Sequence, residues 1–395
     1  MKRVVFISSY APSLANFRGP LIRHLIESGF ECVCFAPDFD DETRKQVDAI
    51  GAEPLDYVLE RVRLAPARDI INTVSLSAKL REQRPDISIT YFAKPVIFGT
   101  IAAALANVRT RVSFIEGLGT LFMRSAEPLP LKRRLLRGMV KLCYRMSLRL
   151  CHRVFFCNPD DLEFFVTECG VDRNKAALLP GIGVDLQHYE AMPPAMDRIT
   201  FVMLGRLLVS KGVRVFADAA RLLSKEFPTA RWLLVGDVDV NPDSVTRAEV
   251  EGWVSEGLVE WTGQVSDVRP WLAQSSVLVL PSRYPEGLPR SLMEGLAAAR
   301  PVITSDSPGC RETVTPGVNG FLVERIEPEA LARAMRRFLQ DPTLVESMGS
   351  QSRELAVSRF DANEVNREIL ISLGLDKRSA GGTRDAPISN STSRS

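Results

Sequence analysis

Two glutamates, Glu286 and Glu294, flank a strand-to-helix junction in PSRYPEGLPRSLMEGLAAARPVITSDS (281–307), with seven residues between them. The apolar run Val277–Leu280 reads as a strand. Pro289 falls where a helix begins, and Leu292, Met293, Leu296 and Ala297 form that helix's apolar stripe. The free N–H groups and positive dipole end of such a helix attract phosphate oxygens. Both glutamates can then reach hydroxyl groups of a ligand whose diphosphate occupies the helix start. A second stretch, GRLLVSKG (205–212), follows another strand and supplies Arg206 and Lys211. When a nucleoside diphosphate departs, negative charge develops on its oxygens, and preorganised cations there lower the barrier. That stabilisation asks for no metal. Taken singly, such charges are ordinary solvated or capping groups; their company gives them meaning.

These residues need elements to hold them. Arg3–Ser8 reads as a buried strand, followed by a helix from about Phe17 that stops at Gly29. The strand Glu31–Ala36 and a polar helix over Asp41–Ile50 come next. Further on, Asp86–Tyr91, Arg111–Ile115 and Val154–Cys157 read as strands, with an alanine-rich helix over Val96–Ala106. The pattern restarts with strands Ile199–Leu204, Trp232–Val235, Val259–Thr262, Val277–Leu280 and Val302–Ser305. Alternation of this kind implies parallel sheets covered by helices, an α/β fold class. The expectation is two doubly wound, Rossmann-like domains facing each other across a cleft. Residues 1–180 would form the first and 198–355 the second, joined by a linker over 181–197. A C-terminal helix over 356–373 is expected to cross back to the first domain, and 374–395 to be a disordered tail. Ligands of such sheets bind beyond the carboxyl ends of the strands, where the four charged residues fall.

Bulk composition narrows the class. The chain has 395 residues, 45% hydrophobic and 25% charged, as a globular protein of two domains would. A formal charge of +2 argues against a nucleic-acid partner. Seven cysteines form no CxxC pair, which suits reduced thiols in a cytosolic compartment. The start MKRVVFISSYAPSL lacks the features of a signal peptide, and no apolar run is long enough to span a bilayer. Residues 131–153 (LKRRLLRGMVKLCYRMSLRLCHR) are rich in Lys and Arg with no acid. Arg133, Arg137, Lys141, Arg145 and Arg149 recur every four residues on one helix face. Two readings stay open: a core-packed helix with a solvated face, or attachment to anionic lipid through that face.

The spacing of Glu286 and Glu294 resembles the EX7E element of retaining glycosyltransferases of the GT-B fold, in particular the family-four group that builds bacterial cell-surface polysaccharides. GRLLVSKG, SPGCRE (307–312) and GVNGFLV (317–323) agree in order and spacing, and ANFRGPLIRHL and EGLGTLF (116–122) resemble members acting on lipid-linked sugars. The resemblance implies that Arg206 and Lys211 grip the diphosphate of a UDP-sugar, Glu294 its ribose and Glu286 the donor hexose or N-acetylhexosamine. Gly287 and Leu288 would line the phosphate site, Gly263 and Val265 the base, and Asn16 and Phe17 the donor from the opposite domain. Many relatives place a histidine near the donor sugar, whereas here the 113–122 region offers Glu116, beside Gly117 and Gly119, assigned to the acceptor side. The implied acceptor is a polyprenyl-diphosphate-linked saccharide at the inner face of the cytoplasmic membrane, with no cofactor and no metal. Asp237-Val238-Asp239 resembles a DxD metal motif but closes a strand-end VGD, and Gly181-Ile182-Gly183 lacks the third glycine of a dinucleotide loop. A nucleotide-sugar epimerase, a catalytically silent nucleotide-sugar binding subunit and a manganese-dependent transferase of the other fold are the alternatives.

Overall fold

The computed structural model describes residues 2–60, 65–122 and 130–375; the tail beyond 375 lies outside the described residues. The first half contains β1 (Arg3–Ile7), α1 (Pro12–Asn16), α2 (Gly19–Glu27), β2 (Glu31–Ala36), α3 (Asp41–Ile50) and β3 (Glu53–Asp56). It continues with α4 (Pro66–Gln83), β4 (Ile87–Tyr91), α5 (Thr100–Leu105), β5 (Thr110–Ile115), α6 (Leu131–Arg149), β6 (Arg153–Phe156), α7 (Pro159–Cys169) and β7 (Ala176–Leu178). These strands make a seven-stranded sheet in the order β3-β2-β1-β4-β5-β6-β7, and its paired strands are parallel.

The strands are nearly continuous apolar runs because both faces are covered. Val4 and Phe6 pack with α2 on one face, while Val5 and Ile7 pack with Leu76 and Leu80 of α4 on the other. Period-two alternation sends neighbours to opposite cores. Cys32 and Cys34 are buried fillers on the α2 side, and all seven cysteines are free thiols.

The second half runs β8 (Thr200–Leu204), α8 (Val213–Leu223), β9 (Arg231–Val235), α9 (Arg247–Ser255), β10 (Glu260–Trp261), α10 (Arg269–Ala273) and β11 (Val277–Leu280). Then follow α11 (Arg290–Ala297), β12 (Val302–Ser305), β13 (Gly320–Val323), α12 (Pro328–Gln340), α13 (Thr343–Arg359) and α14 (Ala362–Ser372). Its six-stranded sheet has the order β10-β9-β8-β11-β12-β13. Both sheets thus reverse strand order beside their first strand, which opens a crevice at the carboxyl ends. The architecture is two doubly wound α/β domains.

Details of the sequence reading need correction. The helix expected from Phe17 is two helices, α1 and α2, with a break at Phe17 and Arg18. Pro289 is the extended residue capping α11 and not its first helical residue. The edge strands β3 and β7 and the long helix α4 had no expectation attached to them. α14 leaves the second domain and inserts Val365, Ile369 and Leu370 into the core beside α2. Where the chain crosses, the Val184 N–H donates to the Phe360 carbonyl (2.7 Å) and the Ala362 N–H donates to the Val184 carbonyl (3.0 Å).

Candidate active site at the domain cleft

The residues at the ends of β8 and β11 meet in one place. Lys211 closes a turn after β8, and its Nζ lies 3.1 Å from Oε1 of Glu286 in the loop after β11. Ser282 donates to the same Glu286 oxygen at 3.3 Å. Both partners are largely buried, so their attraction is poorly screened. Arg206 is more exposed and pairs with Asp239 in the loop after β9, at 3.0 Å. Asp237 pairs with Arg247 at 3.0 Å, so both carboxylates of the DVD stretch face arginines. Among the described residues no cluster of three or more His, Cys, Asp or Glu side chains could hold a metal ion.

α11 carries Glu294 just inside its start. That carboxylate is buried, accepting from Tyr189 Oη (2.8 Å) and from Arg290 Nε (2.7 Å). Burial pushes its proton affinity up, and Arg290 and Tyr189 oppose that rise. Arg290 also donates to the Asn16 carbonyl and lies over the Phe17 ring, 5.1 Å from its centroid. Asn16 and Phe17 are thereby brought against the start of α11 from the opposite domain.

A second contact joins the domains through backbone alone. Gly117, just beyond β5, forms an antiparallel bridge to Glu286. A Cβ on Gly117 would sit 2.9 Å from the Gly287 nitrogen, and one on Gly287 would sit 2.5 Å from the Glu116 carbonyl carbon. Only glycine permits that approach, and Gly117 has φ of +109° besides. Asn158, which caps α7, donates from Nδ2 to the carbonyls of Gly287 (2.8 Å) and Glu286 (3.2 Å). Gly119 lies near Tyr284, and Leu288 packs against the second domain's core. Gly263 and Val265 stand apart from this cluster, beyond β10, where Gly263 bridges to Gly236. The structure therefore gathers Lys211, Glu286, Gly287, Glu116 and Gly117 at one point, and Arg290, Glu294, Asn16 and Phe17 beside it.

Three participants were missed from sequence. Tyr189 and Asn158 act through partners more than a hundred residues away, and no local spacing announces that; Arg290 stands four residues before Glu294, a helical pairing legible in the sequence, although its contact with Asn16 is not.

The comparisons follow the same division. The family model described as Glycosyltransferase Family 4 matches residues 20–188, and that described as Glycosyl transferases group 1 matches 198–341. This chain belongs to the family-four glycosyltransferases. The glycosyltransferase is 26% identical over 381 residues to N,N'-diacetylbacillosaminyl-diphospho-undecaprenol alpha-1,3-N-acetylgalactosaminyltransferase of Campylobacter jejuni, covering 93% of this chain and 97% of the relative. It is 27% identical to UDP-Gal:alpha-D-GlcNAc-diphosphoundecaprenol alpha-1,3-galactosyltransferase of Escherichia coli, over 74% of this chain and 76% of that one. Its fold matches that of Anabaena HepE in complex with UDP-glucose, with a TM-score of 0.74 at 18% identity over 95% of this chain and all of the other. The GT-B architecture is that of two facing Rossmann-like domains, as found here.

The sequence leaves the basic helix with two readings. No helix among the described residues is long and apolar enough to cross a membrane. In α6 two of the five cations spaced by four are engaged by protein and half-buried: Arg137 donates to the Leu121 carbonyl, and Lys141 pairs with Glu168 of α7. Tyr144, Ser147 and Leu148 are the buried residues. The outer ridge is apolar, with Leu131 and Leu135 at 69% and 66% exposure and Met139, Leu142 and Met146 also exposed. The helix is core-packed through Tyr144 and Leu148, with Val140 and Cys143 beside them, and its outer face mixes these apolar side chains with the exposed Arg133, Arg145 and Arg149.

Proposed function

We propose that this glycosyltransferase moves a hexose or N-acetylhexosamine from a UDP-sugar to a polyprenyl-diphosphate-linked saccharide, with retention at the anomeric carbon. The observation that carries the proposal is the Lys211–Glu286 ion pair, set at strand ends against the backbone of the opposite domain. Support for the acceptor comes from the named activities of the two undecaprenyl-diphosphate-linked relatives. Support for UDP comes from the E. coli relative's named donor and the ligand of the Anabaena structure.

The chemistry assigns each residue a task. Glu286 holds hydroxyls of the donor sugar, and Glu294 those of the ribose. Lys211 and Arg206 neutralise the diphosphate, with the N–H groups at the start of α11 aimed at its oxygens. The bond from the anomeric carbon to the phosphate oxygen breaks as the acceptor oxygen bonds to the same face. The acceptor's proton passes to the departing phosphate. Two fixed cations make a metal unnecessary for charge stabilisation.

The apolar ridge of α6, flanked by Lys132, Arg134, Arg145 and Arg149, suits the surface of an anionic bilayer. It would place the enzyme peripherally at the inner face of the cytoplasmic membrane, where such acceptors lie.

The test is Lys211→Ala. Transfer should fall on the order of 100-fold or more, the usual effect of removing one charge stabiliser, with the circular dichroism spectrum unchanged. Full transfer by that variant sinks the proposal.

A further inference from the structure

Arg18 sits at the break between α1 and α2 and is 1% exposed, among the most deeply buried side chains of the first domain. Its guanidinium is sandwiched between two rings, 4.7 Å from the Tyr91 centroid and 4.3 Å from that of Phe114. Its ion-pair partner is Glu116, and its Nε is buried with no hydrogen-bond partner. Burying a guanidinium in this way is expensive, and stability alone would favour an apolar side chain there. The arrangement makes sense if it serves the carboxylate at the other end.

Glu116 is the end of the pair that reaches outward, with its side chain 16% exposed. It lines a cavity of about 180 Å³ whose walls include Phe92, Phe114, Tyr144 and, from the second domain, Tyr284. Glu116 is the one carboxylate among the described lining residues. Phe114 and Tyr144 are buried walls, while Phe92 and Tyr284 are half-buried and present ring surface beside the carboxylate, which is the chemistry that recognises a pyranose: the rings cover its C–H face and the carboxylate accepts from a hydroxyl. The next residue, Gly117, touches the Glu286 loop, so a sugar in the cavity lies beside the donor sugar's place.

We infer that this cavity receives the terminal pyranose of the acceptor, and that Arg18 is a positioning residue which fixes Glu116 to bind the acceptor hydroxyl. The inference rests on the transferase reading and deepens it. Desolvation raises the Glu116 proton affinity while Arg18 lowers it, so without Arg18 the carboxyl would favour its neutral form more strongly. A neutral carboxyl is a poor acceptor for a hydroxyl that must be turned towards the anomeric carbon.

The experiment measures binding of farnesyl-diphosphate-linked N-acetylglucosamine to the UDP-saturated protein by calorimetry. Glu116→Gln and Arg18→Met should each weaken that binding at least tenfold, and Arg18→Lys less. The double variant should bind no worse than the poorer single variant, because Arg18 acts through Glu116. The affinity for UDP should move less than threefold throughout. Glu116→Gln is nearly isosteric and partly exposed, so it decides the matter even if Arg18→Met folds poorly. The inference is overturned if the probe does not bind, if Glu116→Gln binds it like the unsubstituted protein, or if the two substitutions add independently. Probe binding that depends on Glu116, without any sugar transfer, would count against the transferase reading and leave the cavity's assignment standing.

Discussion

Asn158 shows how much one capping side chain can carry. It accepts from the Asp161 N–H at the start of α7, and its amide also donates to the Asp161 carboxylate and to the Gly287 carbonyl across the cleft. Burial holds the Asp161 carboxyl up at about 7, against an ordinary value near 4, with Asp160 adding to the rise and Asn158 opposing it. The folded protein therefore binds this proton more tightly than the unfolded chain does. Stability is highest below about pH 4 in this one respect and declines as pH rises towards 7. Asp161→Asn should raise the stability at pH 8 by on the order of 2 kcal/mol, a gap that closes towards pH 4. Denaturant melts at the two pH values check it, and an equal gap at both would refute it. At this scale the placement was legible where spacing is local: Glu286 stands before the start of α11 and Glu294 inside it, as the run of residues implies. Arg18 was not, because an arginine beside a predicted helix reads as a surface cation. Only the folded chain puts Tyr91, Phe114 and Glu116 around it.

Among the elements, α6 is the one the sequence left with two readings, and the structure packs it on the core through Tyr144 and Leu148. Its cations repeat every four residues, and a repeating charge reads as an outer face. The structure turns Arg137 and Lys141 inward because the Leu121 carbonyl and Glu168 wait there. Leu135, Met139, Leu142 and Met146 are left on the outer ridge. If that ridge enters lipid, Leu135→Glu with Met139→Glu should cut binding to phosphatidylglycerol vesicles at least tenfold in a flotation assay. The folded stability should change by less than about 1 kcal/mol, since neither side chain is buried. Unchanged flotation would remove the bilayer as its partner. The strands were easier to read than this helix. A central parallel strand such as Phe201–Leu204 is apolar on both faces and carries its own signature, whereas the short edge strands β3 and β7 do not.

At the scale of the whole molecule, the two domains meet through bare backbone at Gly117 and Gly287. Gly287→Ala would force a methyl group against the Glu116 carbonyl, with 2.5 Å available. The domains must part by a fraction of an ångström or the Glu286 loop must shift. A displacement of about 1 Å at a reacting centre costs on the order of 100-fold in rate, and a smaller one correspondingly less. The expected outcome is a kcat at least tenfold lower with the melting temperature nearly unchanged, measured by steady-state transfer and calorimetry. An unaffected kcat would mean that the observed closeness is not needed for turnover. The two-domain plan itself was readable, since alternating strands and helices begin afresh near residue 199. Which loops touch across the divide was not readable, because such pairings join residues more than a hundred positions apart.

The paired crossing at Val184 and Phe360–Ala362 has a mechanical consequence. The chain passes from one lobe to the other and returns along the same seam, and a Cβ on Gly183 would come within 2.5 Å of the Ala362 Cα. A single tether would leave the lobes free to swivel and slide. Two tethers laced together resist both, because either motion would have to break the paired hydrogen bonds along that seam.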